Sequence, residues 1–139
     1  MIRREETGTV WVIHQMAHAY IAGLIAKHWV GSGAMTPEPR EELLVAAVAD
    51  CFILSFRAIA RTARLEWSTL QCEVDGKLDK IEKFTQFTGF EVRATLTIPD
   101  EKDRKKAGVI LEKADKYCLV SNSLKAASEL TTKVIVEPQ

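Results

Sequence analysis

The feature that most constrains the fold is a long segment with helical periodicity, Arg40–Arg61, which reads REELLVAAVADCFILSFRAIAR. Proline fits the first turn of a helix and acidic side chains suit its positive N-terminal end, so Pro39, Glu41 and Glu42 favour a helix start here. The pattern predicts a helix from about Arg40 to Thr62. A helix that is apolar on several sides needs partner surfaces, so the other elements are expected to cover it.

The segments on either side of this helix have strand patterns. Residues 9–15 and 17–30 are rich in β-branched and aromatic residues and predict N-terminal strands, while residues 31–39, with two prolines, predict a loop. Apolar and polar residues alternate at 70–75 and again at 90–98, which predicts two strands with one buried face each. The intervening residues 75–86, DGKLDKIEKFTQ, are expected to form the loop of a long antiparallel hairpin.

The C-terminal part predicts a second helix capped by Asp100. The apolar stripe of that helix comprises Ala107, Ile110, Leu111, Ala114 and Cys118. A short third helix around 123–127 and a last strand at 131–138 complete the chain. The order of strands, long helix, strands, helix and strand predicts an α+β fold, and the length favours a single domain spanning residues 1–139.

The charge balance and the cysteine count limit the class of protein. Lys+Arg and Asp+Glu number 19 each, so neither nucleic acid nor a membrane is expected as a partner. The N-terminus lacks the apolar run of a secretory signal, and the apolar run Leu43–Phe56 is interrupted by Asp50 and short for a bilayer. Three cysteines, an odd number, argue against a secreted disulfide framework. We therefore expect a cytoplasmic protein with reduced thiols.

Metal and cofactor motifs do not account for the polar residues. His14 and His18 are four positions apart but lack the glutamate of H-E-x-x-H, and no C-x-x-C occurs. The GSGAM stretch lacks the G-K-[ST] ending of a phosphate loop. We interpret these histidines and His28 as structural or surface residues and expect no metal and no cofactor.

The cysteines have two interpretations. Cys51 shares a helix face with Leu44, Ala47, Val48 and Ser55. A cysteine on such a face is most often a small buried hydrophobe, and this is our interpretation of Cys72, which lies on the apolar face of its strand. Cys51 and Cys118 lie on different helices, and a reactive pair needs one thiolate that attacks and a second thiol that captures the sulfenic acid. Spacing alone does not show that the two meet.

Two motifs around these cysteines carry a family resemblance. PREELLVAAVADCF and CLVSNSL resemble the cysteine motifs of the OsmC/Ohr family, the osmotically inducible and organic-hydroperoxide-resistance proteins, over roughly residues 8–137. The resemblance implies antiparallel sheets packed around a long central helix, in an intertwined homodimer with active sites at the interface. It implies a thiol peroxidase for organic hydroperoxides, with Cys51 peroxidatic and Cys118 resolving. It also implies a small dithiol such as dihydrolipoamide as the reductant.

A family glutamate, ten residues before the first cysteine, corresponds to Glu41. Ten residues of helix rise about 15 Å, so Glu41 cannot touch Cys51 of its own helix. If both residues serve one site, the partner subunit supplies the glutamate. The alternative interpretation is an acidic residue at a helix start, favoured there by the helix dipole.

The chain departs from the family pattern in its arginines. The peroxidases use an arginine from the N-terminal strand region to hold the peroxidatic thiol as thiolate, and here no arginine occurs between Arg4 and Arg40. Arg57 and Arg61, on the cysteine helix, are candidate substitutes, although a solvated or ion-paired helix arginine is the simpler interpretation of each.

Two further positions differ. Asp50 stands where the family has a small residue, and a carboxylate beside a thiol disfavours the thiolate. Leu119 replaces the proline that follows the second family cysteine. These departures leave an alternative function open: a non-catalytic binding or interaction module that has kept the fold and lost peroxidase activity. The retained cysteine pair argues against that alternative.

Overall fold

The computed structural model describes residues 2–4, 11–20, 27–29 and 39–138. The long periodic segment forms helix α1, Pro39–Ala63, which confirms the predicted helix. The side chains of α1 that face the interior are Val45, Ala46, Val48, Ala49, Phe52, Ile53, Phe56 and Ala60. These residues follow the helical period, so α1 supplies one side of the core.

The strands form one sheet beneath α1. They are β1 (Ile2–Arg4), β2 (Trp11–Tyr20), β3 (Lys27–Trp29), β4 (Thr69–Ile81), β5 (Phe84–Ile98) and β6 (Ala127–Val136). The order is β1-β2-β4-β5-β6, with β3 also paired to β2. β6 is parallel to β5, unlike the other pairs, which departs from the expectation of antiparallel sheets. A parallel neighbour requires a crossover, and the helices between β5 and β6 supply it. The predicted α+β class is confirmed.

The N-terminal strand predictions are partly confirmed. β2 runs without a break through residue 16, where we expected a division, and β3 covers only the end of the predicted 17–30 strand. The predicted loop at 31–39 lies outside the described residues except for Pro39, which begins α1.

The hairpin of β4 and β5 has one buried face, as its alternation predicts. The buried residues of this face are Leu70, Cys72, Val74, Leu78, Phe90, Val92, Ala94, Leu96 and Ile98. The prediction of a loop at 75–86 is wrong. Backbone pairing continues to Ile81 and Phe84, which leaves a two-residue turn in which Glu82 has φ of 58°. Side chains near this turn are solvent-exposed. The ends of β4 and β5 therefore lack the apolar alternation from which a strand is predicted.

The second helix begins one turn later than its predicted cap suggests. The Asp100 side chain accepts a hydrogen bond of 3.0 Å from the Lys102 backbone N–H and caps a 3-10 turn, Glu101–Asp103. Helix α2, Arg104–Lys116, follows and buries Ala107, Ile110, Leu111 and Ala114. These four predicted core residues are confirmed, and Cys118 lies just beyond the helix end.

The third helix is not where we predicted it. Helix α3 covers Leu119–Asn122 rather than 123–127. Ser123 does not start a helix, because its hydroxyl donates to the Leu119 carbonyl (2.9 Å) and closes the preceding turn.

The apolar part of α1 is longer than the run Leu43–Phe56, which we expected to be too short for a bilayer. Leu43–Ala63, 21 residues, is long and apolar enough to cross a membrane by length and composition. A buried core helix passes the same test, and in this structure the apolar side of α1 packs against β2, β4 and α2.

Candidate functional site

Cys51 and Cys118 come together where α1 meets the end of α2 and α3. Cys51 lies in the middle of α1 and is half-buried, whereas Cys118 immediately precedes α3 and is fully buried. The Cys51 side chain lies against the Cys118 sulfur closely enough to raise the pKa of that thiol. Both cysteines are free thiols. The structure thus brings together two thiols that are far apart in sequence.

The surroundings of Cys118 act on its thiol in opposite directions. Burial raises the pKa of the Cys118 thiol, and the Ser121 hydroxyl and backbone N–H partly offset this by lowering it. The Cys118 sulfur makes no capping hydrogen bond of good geometry with the first turn of α3. The Ser121 donors therefore act on the sulfur as neighbouring dipoles. Ser121 was not among the predicted site residues.

Cys72 is a third thiol close to this pair. It is fully buried on β4, and burial raises its pKa far above the ordinary range of a thiol. Cys118 and Asp50 raise the pKa further, so both lie near the Cys72 sulfur. A thiol held neutral in this way is a poor nucleophile, which agrees with our interpretation of Cys72 as a core residue. Its closeness to Cys118 was not apparent from the sequence.

The remaining predicted site residues lie elsewhere on α1. Glu41 is half-buried near the helix start, and its distance from Cys51 along the same helix stays about 15 Å. Arg57 is half-buried and Arg61 is exposed in the last turn. Within one chain, α1 therefore does not bring Glu41 to the thiols.

Exposed apolar side chains lie close in sequence to both cysteines. Leu54 lies one turn after Cys51 and is 57% exposed, while Leu119 directly follows Cys118 and is 73% exposed. Tyr117, on the other side of Cys118, is 64% exposed. Among the described residues no group of three or more His, Cys, Asp or Glu is arranged to hold a metal ion.

Two family models match parts of the chain. Residues 31–133, most of the chain, match the model of the OsmC-like protein family. The chain belongs to the OsmC-like family. A second model, described only as a protein of unknown function, matches residues 1–50. No curated protein matches the sequence.

Solved structures share the fold of this OsmC-like chain. An OsmC-like protein of unknown function from Vibrio cholerae is 20% identical, with a TM-score of 0.59 over 97% of this chain and 96% of that one. An organic hydroperoxide resistance protein from Legionella pneumophila is 21% identical, with a TM-score of 0.57 over 90% and 96%. The organic hydroperoxide resistance protein OhrB of Bacillus subtilis is 18% identical, with a TM-score of 0.55 over 96% and 94%. At these identities the likeness shows the fold alone.

The match in sequence begins later than the motifs suggested. It starts at residue 31 rather than near residue 8, so the segment in which a family arginine was sought lies outside it. The same segment lies within the match to the second family model.

Proposed function

We propose that this chain is a thiol-dependent peroxidase that reduces organic hydroperoxides. The contact between the Cys51 side chain and the Cys118 sulfur is the observation that carries the proposal. Two thiols this close can form a disulfide, and the family to which the chain belongs includes proteins named for hydroperoxide resistance.

Each thiol has a distinct role in the proposed cycle. The Cys51 thiolate attacks one peroxide oxygen, the O–O bond breaks, an alcohol leaves, and Cys51 becomes a sulfenic acid. Cys118 then attacks the Cys51 sulfur, water leaves, and a Cys51–Cys118 disulfide forms. A small dithiol returns both cysteines to thiols and is itself oxidised to a disulfide. Cys51 meets the peroxide because it is only half-buried, whereas Cys118 is fully buried.

The apolar residues around the cysteines in the sequence support an organic substrate. Leu54, Tyr117 and Leu119 are exposed apolar residues within three positions of Cys51 or Cys118 in the sequence. An alkyl or aryl group on the peroxide would cover such surface, with a gain of roughly 0.8 kcal/mol per buried methylene. Hydrogen peroxide has no group that makes this contact.

A second copy of the chain would complete the site. Leu43 and Leu54 are 60% and 57% exposed, and three helical turns separate them, so they lie on one stripe of α1. A homodimer would cover this stripe, and the glutamate of a shared site would come from the partner subunit, because Glu41 lies about 15 Å along α1 from Cys51 of its own chain. Thiols that must be reduced again after each turnover suit a reducing compartment, which supports a cytoplasmic location.

The alternative is a binding module with the OsmC-like fold and no peroxidase activity. The observation that favours it is the N-terminal segment, which lies outside the OsmC-like match and has no arginine between Arg4 and Arg40. A thiol with no cationic neighbour reacts slowly with peroxide, because little of it is thiolate near neutral pH.

Treating the reduced protein with an organic hydroperoxide decides between the two functions. We expect one Cys51–Cys118 disulfide per chain by intact mass and peptide mapping. Cys51→Ser should abolish peroxide consumption, and Cys118→Ser should leave a sulfenic acid on Cys51 that dimedone traps. Cys72→Ser is the matched control, since it replaces a neighbouring thiol and should retain turnover. Unmodified thiols at both positions would contradict the peroxidase and favour the binding module.

A further inference from the structure

The outer edge of β6 is a surface that the proposed function does not use. Among the described strands, β6 pairs with β5 alone and lies at one end of the sheet. In the middle of β6, Thr131, Thr132 and Lys133 are all exposed. A strand at the end of a sheet presents backbone N–H and C=O groups with which another strand can pair.

Two hydrogen bonds show which backbone groups of β6 face this edge. The Glu137 N–H, directly after β6, donates to the Ile98 carbonyl of β5 (2.9 Å), so odd-numbered residues direct their backbone groups towards β5. The Val134 carbonyl instead accepts from the Arg104 guanidinium (2.9 Å), and backbone groups alternate in direction along a strand. The even-numbered residues therefore direct their N–H and C=O groups outwards. Within β6 these residues are Ser128, Leu130, Thr132, Val134 and Val136.

The contact from Arg104 leaves this edge able to pair. A carbonyl oxygen has two lone pairs, so Val134 can accept from Arg104 and also from the N–H of a neighbouring strand. Glu101 holds the Arg104 guanidinium by two hydrogen bonds, of 2.7 and 3.0 Å. The contact thus fixes the Val134 end of the edge in its extended form.

The charges on the outer face of β6 match a second copy of the same strand. Glu129 and Lys133 are both exposed, and each is two residues from Thr131, so the three share one face. In an antiparallel pair of β6 strands centred on Thr131, Glu129 of each copy lies opposite Lys133 of the other. The same register places Leu130 opposite Thr132, and both direct their backbone groups to the shared edge. Charge and hydrogen bonding therefore agree on one register.

The neighbour of Glu129 in its own sheet makes such a partner favourable. Glu129 lies opposite Glu91 of β5. Like charges directly opposite each other destabilise a pair of strands, whereas opposite charges stabilise it. A lysine on the open side of Glu129 would offset this repulsion.

We propose that the outer edge of β6 is an interface with a second copy of this chain, paired antiparallel about Thr131, so that two sheets join into one. The interface does not involve the cysteines, and its existence does not depend on peroxidase activity. It is also separate from the exposed stripe of α1, so an assembly through α1 and one through β6 can form independently.

A proline on the edge tests whether β6 pairs with a second copy. Thr132→Pro removes an outward N–H and keeps the hydrogen bonds to β5, because an edge strand tolerates proline where its nitrogen faces away from the sheet. Thr132→Val is the matched control, since it keeps that N–H. Sedimentation equilibrium should give wild type and Thr132→Val at least twice the mass of Thr132→Pro, whether or not the chain also associates through α1. Equal masses for all three proteins would overturn the proposal.

Charge reversal tests the register and does not rely on the proline variant. Glu129→Lys and Lys133→Glu each place like charges opposite each other twice in the pair of strands, so each should weaken association about ten- to hundredfold. The double variant Glu129→Lys/Lys133→Glu restores opposite charges and should associate like wild type. Glu112→Lys, at an exposed position of α2, is the control for the change in net charge. Weak association of the double variant, or an equal effect of Glu112→Lys and Glu129→Lys, would refute the pairing about Thr131.

Discussion

Replacing Gly76 with alanine tests how closely α1 lies against β4. A Cβ added at this position would stand 2.7 Å from Val45 Cγ2 and 2.8 Å from Phe87 Cε1. Val45 is fully buried and β-branched, so it has few other rotamers to adopt. The Phe87 ring is stacked on Phe90 with centroids 5.0 Å apart, which limits its movement as well. One of these neighbours must shift, and α1 carries the candidate cysteine only two turns further on.

The expected loss of stability follows from two opposing effects. Overpacking of a well-packed core typically costs about 1–3 kcal/mol. Alanine regains about 0.5–1 kcal/mol because glycine is unfavourable inside a strand. Gly76→Ala should therefore lower the free energy of unfolding by about 1–2 kcal/mol, measured by urea denaturation. In a Val45→Ala background the same substitution should cost less, by about 1 kcal/mol, because one of the two clashes is gone.

Gly108→Ala is the control for this prediction. Nothing lies within 4 Å of a Cβ built on Gly108, which is inside α2, so alanine should stabilise the protein by about 1 kcal/mol through helix propensity. A gain in stability from Gly76→Ala similar to that from Gly108→Ala would refute the close contact between α1 and β4.

Two further predictions concern assembly and pH. If the partner subunit supplies Glu41, mixing Glu41→Gln and Cys51→Ser chains should restore about a quarter of wild-type turnover. Half of the dimers are then mixed, and each mixed dimer holds one intact site out of two. No recovery after subunit exchange would show that the two residues do not share a site across the interface. Burial raises the pKa of the Asp115 carboxyl, so the folded state holds this proton more tightly than the unfolded chain and loses stability as the pH rises through that pKa. Asp115→Asn should therefore melt at a higher temperature than wild type near pH 7, and this difference should vanish near pH 3, where both states are protonated; a difference that persists at low pH would contradict the electrostatic cause.

The parts of the fold that could be predicted are those with strong apolar periodicity. Apolar residues recur at helical spacing along α1 and alternate along β4 and β5. The burial of these residues therefore follows directly from their spacing. The strand ends around Ile81 and Phe84 could not be predicted in this way, because backbone pairing alone extends them into solvent. The parallel pairing of β6 depends on the crossover through α2, which no local pattern specifies.

The candidate site was predictable only in part, because the contacts within it depend on how separate elements pack together. The motifs around Cys51 and Cys118 suggested a pair, but their contact depends on how α1 packs against α2 and α3. Cys72, on the buried face of β4, lies near Cys118, a relation that alternation along one strand cannot reveal. The predicted third helix at 123–127 excludes Ser121, whereas α3 covers Leu119–Asn122 and includes it.

The crossover between β5 and β6 has a consequence for the newly made chain. Cys118 belongs to that crossover, so it reaches Cys51 only after the C-terminal part of the chain has docked. Before then, loop closure favours the cysteines nearest in sequence, Cys51 and Cys72, because the shorter loop costs less entropy. An oxidant present during synthesis would therefore trap a Cys51–Cys72 pairing, which leaves Cys51 unavailable to Cys118. Reducing conditions until the last strand is in position keep Cys51 available for Cys118.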